Sequence, residues 1–219
     1  MNSDIKMKDE EIMKTGTTTV GIVCKNGVVL AADKRATAGY LVAAKKVKKI
    51  VKITDDIAVT MAGTVSDVQL LTKLIRAELK LNNIRTKRIN TVSEAANLLA
   101  SIVYNNIRKF SVIPGISHFV MGGKDSEGFY IFDIGADGSI TDVDDFVSSG
   151  SGSVMAYGVL ETLYKPDLTV EEGVDLGVKS VNAAMQRDVA SGNGINVVTI
   201  TSEGVQEVIE KELNTKIEQ

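Results

Sequence analysis

The sequence Gly16-Thr17-Thr18-Thr19-Val20-Gly21 is the stretch around which the rest of the chain is best understood. Its β-branched threonines, and the apolar residues that lead to a Lys25-Asn26-Gly27 turn, predict the first strand of a sheet. The same residues have a chemical interpretation. If the chain is cleaved after Gly16, Thr17 gains a free α-amine, which titrates near ~8 and can activate the adjacent hydroxyl as a nucleophile. Glycine at position 16 would permit a tight bend, with positive φ, that places this hydroxyl over the preceding carbonyl.

Length, composition and charge limit the possible classes of protein. The chain of 219 residues is long enough for one domain with a large core, and its single cysteine, Cys24, excludes an internal disulfide. With 25 basic and 28 acidic residues, the net charge of −3 gives no electrostatic footprint for nucleic acid or an anionic membrane. No apolar run approaches the ~18 residues of a membrane span. Residues 1–16 lack the apolar region of a secretory signal and are interpreted as a short leader.

Two charged residues lie where the pattern predicts buried strands. Asp33 ends the apolar run Val28-Val29-Leu30-Ala31-Ala32, where a carboxylate is costly unless it is paired. In the predicted strand 45–53, alternation places Lys49 in the apolar row with Val47 and Val51, whereas Lys48 points to the other side. An inward lysine is paired or has a perturbed pKa, and such lysines cluster at functional sites. The patterns alone also allow a solvated turn for Asp33 and an edge position for Lys49.

The order of predicted elements is strands, two helices, strands, two helices and strands. Three helix starts resemble capping boxes, at Thr64 with Asp67, Thr91 with Glu94, and Thr169 with Glu172. Strands outnumber possible βαβ crossovers, which argues against a doubly wound parallel sheet. The sequence therefore predicts an α+β fold, a four-layer αββα sandwich of two face-to-face sheets with a helix pair on each outer side.

Other kinds of site have little support in the sequence. The Ser149-Gly150-Ser151-Gly152-Ser153 loop precedes a predicted helix, but it has no lysine at the spacing of a phosphate-binding loop. The single histidine, His118, has no neighbours in the sequence that suggest a Ser-His-Asp site, and the chain has too few ligands for zinc. We expect neither a metal nor a cofactor.

Six short motifs occur in an order that resembles a known family. They are Gly-Thr-Thr-Thr-Val-Gly at 16–21, Ala-Ala-Asp-Lys-Arg-Ala-Thr at 31–37, Lys49, Met-Ala-Gly at 61–63, Ser-Gly-Ser-Gly-Ser at 149–153 and Gln-Arg-Asp-Val-Ala-Ser-Gly at 186–192. From Gly16 to about residue 209, the chain resembles the β-type subunits of the proteasome core particle, especially the archaeal branch of these N-terminal-nucleophile hydrolases. The resemblance implies a leader (propeptide) at 1–16 and a single N-terminal-nucleophile hydrolase domain at 17–219. It implies antiparallel sheets in the sandwich.

The resemblance also implies a role for individual residues. Thr17 would be the nucleophile of a threonine endopeptidase, activated when the chain cleaves itself between Gly16 and Thr17. Asp33 and Lys49 would be the charged pair beside it, and the Gly63 N–H would stabilise the oxyanion. The remaining expected residues are Ser151, Asp188 and Ser191 around the threonine, Thr37 for the substrate backbone, and Met61, Val47, Val51 and Val65 at the specificity pocket.

The resemblance further implies a cytoplasmic particle that degrades unfolded proteins. Its β-type subunits would form heptameric rings, two of which stack between two α-type rings, with an ATPase cap that feeds substrate. Two alternatives remain open. One is a non-catalytic ring subunit, and the other is the related bacterial threonine protease that stacks as hexameric rings.

Overall fold

Two five-stranded antiparallel sheets stacked face to face form the centre of the protein. The computed structural model describes residues 16–112 and 114–213, so the predicted leader, apart from Gly16, and the last six residues lie outside the described part. The strands are β1 Thr19–Cys24, β2 Gly27–Asp33, β3 Ala36–Ala38, β4 Leu41–Ala44, β5 Ile50–Lys52, β6 Ile57–Gly63, β7 Ser117–Lys124, β8 Phe129–Ile134, β9 Ile140–Val143, β10 Phe146–Ser149, β11 Gly194–Thr201 and β12 Gly204–Glu212. The helices are α1 Val65–Thr86, α2 Val92–Ile107, α3 Ser153–Leu163 and α4 Val170–Met185.

The strand order explains why β2 is apolar on both faces. The first sheet has the order β10-β1-β2-β11-β12 and the second β5-β6-β7-β8-β9, while β3 and β4 form a separate hairpin. In β2, Val28 and Leu30 face the second sheet, whereas Val29 and Ala31 face the helices outside the first sheet. All four side chains are fully buried, as expected for a central strand that is covered on both sides.

A pair of helices covers the outer face of each sheet. Leu71 and Ile75 of α1 and Leu99 of α2 pack on the second sheet, and Leu160 of α3 and Val181 of α4 pack on the first. The apolar stripes at helical spacing thus face the sheets. The predicted α+β four-layer sandwich is confirmed.

The local predictions differ from the structure in three places. Thr91 and Thr169 form complete capping boxes, but Thr64 makes no side-chain cap, so the box predicted there is wrong. The short strands β3, β4 and β10 were not predicted. The strand predicted at 45–53 is reduced to Ile50–Lys52, because residues 45–49 do not pair as a strand and only the Lys49 carbonyl bonds to β6, at the Met61 N–H.

Strand direction defines two ends of the sandwich. We call the end at which β2 and β6 finish, at Asp33 and Gly63, the site end. The far end carries the β1–β2 turn and the β7–β8 turn, which contains Asp125. No described helix is long and apolar enough to cross a bilayer.

Candidate active site

The Gly16–Thr17 junction lies at the site end, directly before β1. Thr17 is 5% exposed, and its Oγ1 donates a hydrogen bond to the Gly16 carbonyl oxygen at 2.7 Å. A Cβ at position 16 would lie 1.7 Å from the Ala190 Cβ, so only glycine fits there. Close packing therefore requires glycine at this position, whatever its backbone conformation.

Asp33 is fully buried, and both of its carboxylate oxygens accept hydrogen bonds. Its Oδ1 accepts from Lys49 Nζ at 2.6 Å and the Thr18 N–H at 3.0 Å, and its Oδ2 accepts from the Arg35 and Gly192 N–H groups, each at 2.9 Å. Such a set of donors compensates for the lost hydration of a buried carboxylate. It also ties β2 to the start of β1 and to the loop before β11.

Lys49 is 4% exposed and completes this buried pair. Burial lowers the pKa of its ammonium group, while Asp33 and then Asp188 act in the opposite direction. Strand alternation predicted its inward direction correctly even though residues 45–49 are not part of a ladder. A lysine with a perturbed pKa in a cleft marks a candidate functional site.

A hydrogen-bonded group of side chains surrounds the backbone of Thr17. Ser151 Oγ accepts from the Thr17 N–H at 3.2 Å and donates to Asp188 Oδ2 at 2.7 Å. The same carboxylate oxygen accepts from Ser191 Oγ at 2.6 Å, and Ser191 Oγ lies 2.7 Å from Thr18 Oγ1. The structure therefore brings Ser151, Asp188 and Ser191, the three residues that the family resemblance implies around the threonine, into one network. This network is connected to the nitrogen that cleavage would release.

Gly63 ends β6 at the edge of the same cleft. Its φ of 124° lies in a region that side chains rarely adopt, and a Cβ there would be 2.3 Å from the Ile116 carbonyl oxygen. Helix α1 begins two residues later, at Val65, so its positive end faces this part of the cleft. The position combines a required glycine with a helix terminus that favours negative charge.

A cavity opens beside Thr17 and contains most of the predicted pocket residues. Its lining comprises Gly16, Thr17, Arg35, Ala36, Val47, Lys48, Lys49, Met61, Gly63, Val65, Val68 and Gln69. Val51 is not part of this lining and packs against the core cluster beneath α1 and α2, so its place at the specificity pocket stays a prediction. Thr37 accepts a hydrogen bond from the Gly16 N–H at 3.2 Å.

Sequence reasoning missed Val68 and Gln69 as cavity residues. Both lie in the first turns of α1, and the only available signal was their short distance in sequence from Gly63. Arg35 and Lys48 were also not predicted to line the cavity, and each already has polar partners. Arg35 Nε donates to Asn193 Oδ1 at 2.8 Å, and Lys48 contacts glutamates of β12.

The described residues contain no group of three or more His, Cys, Asp and Glu side chains placed to hold a metal ion. His118 Nε2 lies 2.6 Å from Asp133 Oδ1, on the neighbouring strands β7 and β8. Among the described hydrogen bonds, neither side chain of this pair contacts Thr17. The chemistry available at the junction is therefore that of a hydroxyl, a buried ammonium–carboxylate pair and a preceding carbonyl.

Comparisons with known proteins match nearly the whole chain. The model of the family described as proteasome subunit matches residues 13–200. A protein named proteasome subunit beta from Archaeoglobus profundus is 47% identical over 199 residues, which cover 91% of each chain. Proteins of the same name from Ferroglobus placidus and Methanocaldococcus fervens are 45% and 46% identical, with 93% of this chain covered and 95% and 91% of theirs.

Proposed function

Because the chain belongs to the proteasome subunit family, with relatives of β type, we propose that it is a catalytic β subunit that hydrolyses peptide bonds with Thr17 as nucleophile. The observation that carries this proposal is the buried Asp33–Lys49 pair beside a junction whose hydroxyl contacts the preceding carbonyl. A strand start without catalytic function has no need of a buried charge pair, which costs desolvation energy.

The first reaction is removal of the leader by Thr17 itself. The Thr17 Oγ attacks the Gly16 carbonyl carbon, the C–N bond breaks, and the nitrogen takes a proton, which leaves an ester between Gly16 and the Thr17 oxygen. Water then hydrolyses this ester and releases residues 1–16 as a carboxylate. Thr17 now carries a free amine. The hydrogen bond of 2.7 Å between hydroxyl and carbonyl oxygen supports this route, because it places the two groups in contact before reaction.

Turnover of substrate repeats the same chemistry on another peptide bond. The Thr17 amine accepts the proton from the hydroxyl, and the Lys49 ammonium group favours the deprotonated forms of both. The Gly63 N–H donates to the oxyanion, a contribution often worth ~3 kcal/mol. An acyl-threonine ester forms, the amine of the leaving peptide takes the proton, and water completes hydrolysis.

The pocket supports a preference for cleavage after large apolar residues. Val47, Met61 and Val65 contribute apolar surface, while Arg35 and Lys48 already have polar partners. A charged substrate side chain would lose its hydration there without a free partner. Peptides that end in tyrosine or leucine should be hydrolysed faster than those that end in arginine or glutamate. Faster turnover of either charged peptide would contradict this preference.

We infer the wider setting from the family. The subunit would assemble with other β subunits in a heptameric ring, and two such rings would stack between two α-type rings. An ATPase cap would supply unfolded proteins in the cytoplasm. Assembly of the β chain with α-type rings, measured by native mass spectrometry, tests this arrangement.

Replacement of the nucleophile tests the catalytic assignment. Thr17→Ala should assemble but hydrolyse no peptide and not react with a threonine-directed inhibitor, because it lacks the hydroxyl. Thr17→Ser should keep part of the activity, since it loses only the methyl group that restricts the rotamer. If assembled wild-type particles are as inactive as Thr17→Ala, the chain is a structural ring subunit instead.

A further inference from the structure

The edge strand β12 presents three glutamates to the basic segment that carries Lys49. They are Glu207, Glu210 and Glu212. A bulge in the pairing of β11 and β12 leaves Val208 without a partner, since Asn196 pairs with Glu210 and Val198 with Glu207. In a regular strand, positions 207 and 210 would point to opposite faces, but the extra residue places all three on one face.

Lys34 connects this face to the active site from inside the protein. It is 1% exposed, and its Nζ lies 2.8 Å from Glu210 Oε1 and 3.7 Å from Glu212 Oε1. Its side chain passes over β11 at Gly194, where a Cβ would lie 3.1 Å from the Lys34 Cδ. The absence of a side chain at position 194 therefore leaves space for the buried methylene chain between β2 and β12.

The backbone of Lys34 also touches both sides of the candidate site. Its N–H donates to the Gly192 carbonyl at 3.2 Å, and its carbonyl accepts from the Val47 N–H at 3.0 Å. Gly192 in turn binds Asp33, and Val47 lines the cavity. A displacement of Lys34 would consequently move the pocket wall and the surroundings of the buried pair together.

The segment 46–49 is held from β12 by alternate side chains. Lys46 Nζ lies 2.5 Å from Glu212 Oε2, and Lys48 Nζ lies 3.2 Å from Glu207 Oε2 and 3.4 Å from Glu210 Oε2. The alternate residues, Val47 and Lys49, line the cavity, and Lys49 binds Asp33. Two backbone hydrogen bonds also hold this segment, from the Val47 N–H to the Lys34 carbonyl at 3.0 Å and from the Met61 N–H to the Lys49 carbonyl at 2.8 Å, so the β12 contacts act together with them.

We propose that the three β12 glutamates are positioning residues, which act through Lys34, Lys46 and Lys48 to fix the pocket wall at Val47 and the place of Lys49. The inference rests on the proposed peptidase function, for which it names residues remote from Thr17 that set activity. A single exposed ion pair contributes little, but this network includes a buried lysine, whose charge is left without its nearest partner when Glu210 is neutralised.

The central test replaces Glu210 by glutamine, which keeps the size of the side chain and removes its charge. In assembled particles, kcat/KM for peptides ending in leucine or tyrosine should fall at least about fivefold. KM should change more for these peptides than for peptides ending in alanine, which fill less of the pocket. Exchange of the Val47 amide hydrogen should become at least about fivefold faster, because its acceptor is the Lys34 carbonyl. Glu203→Gln, the same change in the exposed β11–β12 turn, should alter neither quantity.

Three results have defined meanings. Unchanged kcat/KM for leucine and tyrosine peptides in Glu210→Gln would overturn the proposal. If Glu210→Gln does not assemble, Glu207→Gln replaces it in the test, because its partner Lys48 is exposed. The fall in kcat/KM and the faster Val47 exchange should then appear in smaller degree. Unchanged values in Glu207→Gln would also overturn the proposal. Inactive wild-type particles would instead refute the peptidase function itself. In that case, Val47 amide exchange in Glu210→Gln still tests the positioning role, and unchanged exchange would show that Glu210 does not hold segment 46–49.

Discussion

Helices that begin at the far end of the sandwich differ from those that begin at the site end. At the far end, α2 and α4 start with complete capping boxes, at Thr91 with Glu94 and at Thr169 with Glu172. At the site end, α1 follows Thr64 and α3 follows Gly152, and neither of these residues makes a side-chain cap. A cap of this kind satisfies backbone N–H groups and stabilises the helix. The far end therefore uses its polar side chains for stability.

The site end uses the same kinds of side chain for another purpose. Ser151, just before α3, binds Thr17 and Asp188 and does not cap the helix. The positive ends of α1 and α3 consequently face the cleft without a side-chain oxygen from the N-cap residue to offset them. At the start of α3, the nearest polar side chain is therefore bound to the Thr17 network and not to the helix.

Ion pairs at the two ends show the same division. The Asp33 and Lys49 side chains are 0% and 5% exposed, whereas those of Glu94 and Arg88 at the far end are 41% and 53% exposed. Solvent screens the exposed pair, but the buried pair leaves an uncompensated charge if either partner is lost. The largest mutational effects are therefore expected at the site end.

Loss of the buried ammonium group should have the largest effect. In Lys49→Ala, peptidase activity should fall at least about a hundredfold, because the proton transfers at Thr17 lose their cation. The free energy of unfolding should also fall, by up to about 3–5 kcal/mol, since Asp33 remains buried without its partner. Peptide hydrolysis and denaturant unfolding measure the two effects.

Lys52→Ala is the matched control for Lys49→Ala. Lys52 is exposed, and it pairs with the exposed Asp55 at 2.7 Å. Its replacement should leave hydrolysis nearly unchanged. A similar loss of activity in both variants would show that the general charge of this segment matters, and not the buried pair.

Two glycines with positive φ provide the next comparison. Gly63→Ala should lose most peptidase activity and more than about 2 kcal/mol of stability, because strain combines with a clash against the Ile116 carbonyl. Gly39 in the β3–β4 turn has φ of 58° and no atoms within 4 Å of a Cβ. Gly39→Ala should therefore cost only about 1 kcal/mol. Equal melting temperatures for the two variants would contradict the packing argument.

The caps themselves predict a smaller difference. Thr91→Ala should reduce the free energy of unfolding by about 1 kcal/mol, because the N–H of Glu94 loses its acceptor at 3.2 Å. Thr64→Ala should cost clearly less, as Thr64 makes no side-chain cap. Chemical denaturation of both variants measures the difference, and an equal loss would mean that the two helix starts do not differ as described.

The smallest effect is the pH dependence of the far-end cap. The Arg88 side chain and the Thr91 N–H lower the pKa of Glu94 from 4.5 to about 2. Since the pKa is lower in the folded state, the stabilising contribution is complete above pH 4.5 and is lost as pH falls toward about 2. The difference in stability between wild type and Glu94→Gln should shrink over this range, and a difference that grows on acidification would refute the assignment.

The sequence predicted those features that depend on strong local patterns. The capping boxes at Thr91 and Thr169 and the continuous apolar run of β2 were recognisable because their spacing has one physical explanation. Alternation also placed Lys49 inside correctly. The short strand β10 was not predicted, although Phe146 packs on the helix side and Val147 between the sheets. Four residues give too short a pattern to identify a strand.

The site required tertiary information that no local pattern contains. Val51 shares a strand face with Val47 in the sequence pattern, but Val47 lines the cavity whereas Val51 packs against the core cluster, which alternation alone does not distinguish. Val68 and Gln69 enter the lining only because α1 starts at Val65, next to Gly63. The contact of Lys34 with β12 depends on the space at Gly194, and the alignment of Glu207 with Glu210 depends on a bulge, and neither has a distinctive sequence signal.

The most direct test of the account is the intact mass of the β chain from assembled particles. If Thr17 attacks the Gly16 carbonyl as proposed, the wild-type chain should begin at Thr17, and the Thr17→Ala chain from particles prepared in the same way should retain its leader. A wild-type chain that keeps residues 1–16 after assembly would contradict the central claim that Thr17 becomes an N-terminal nucleophile.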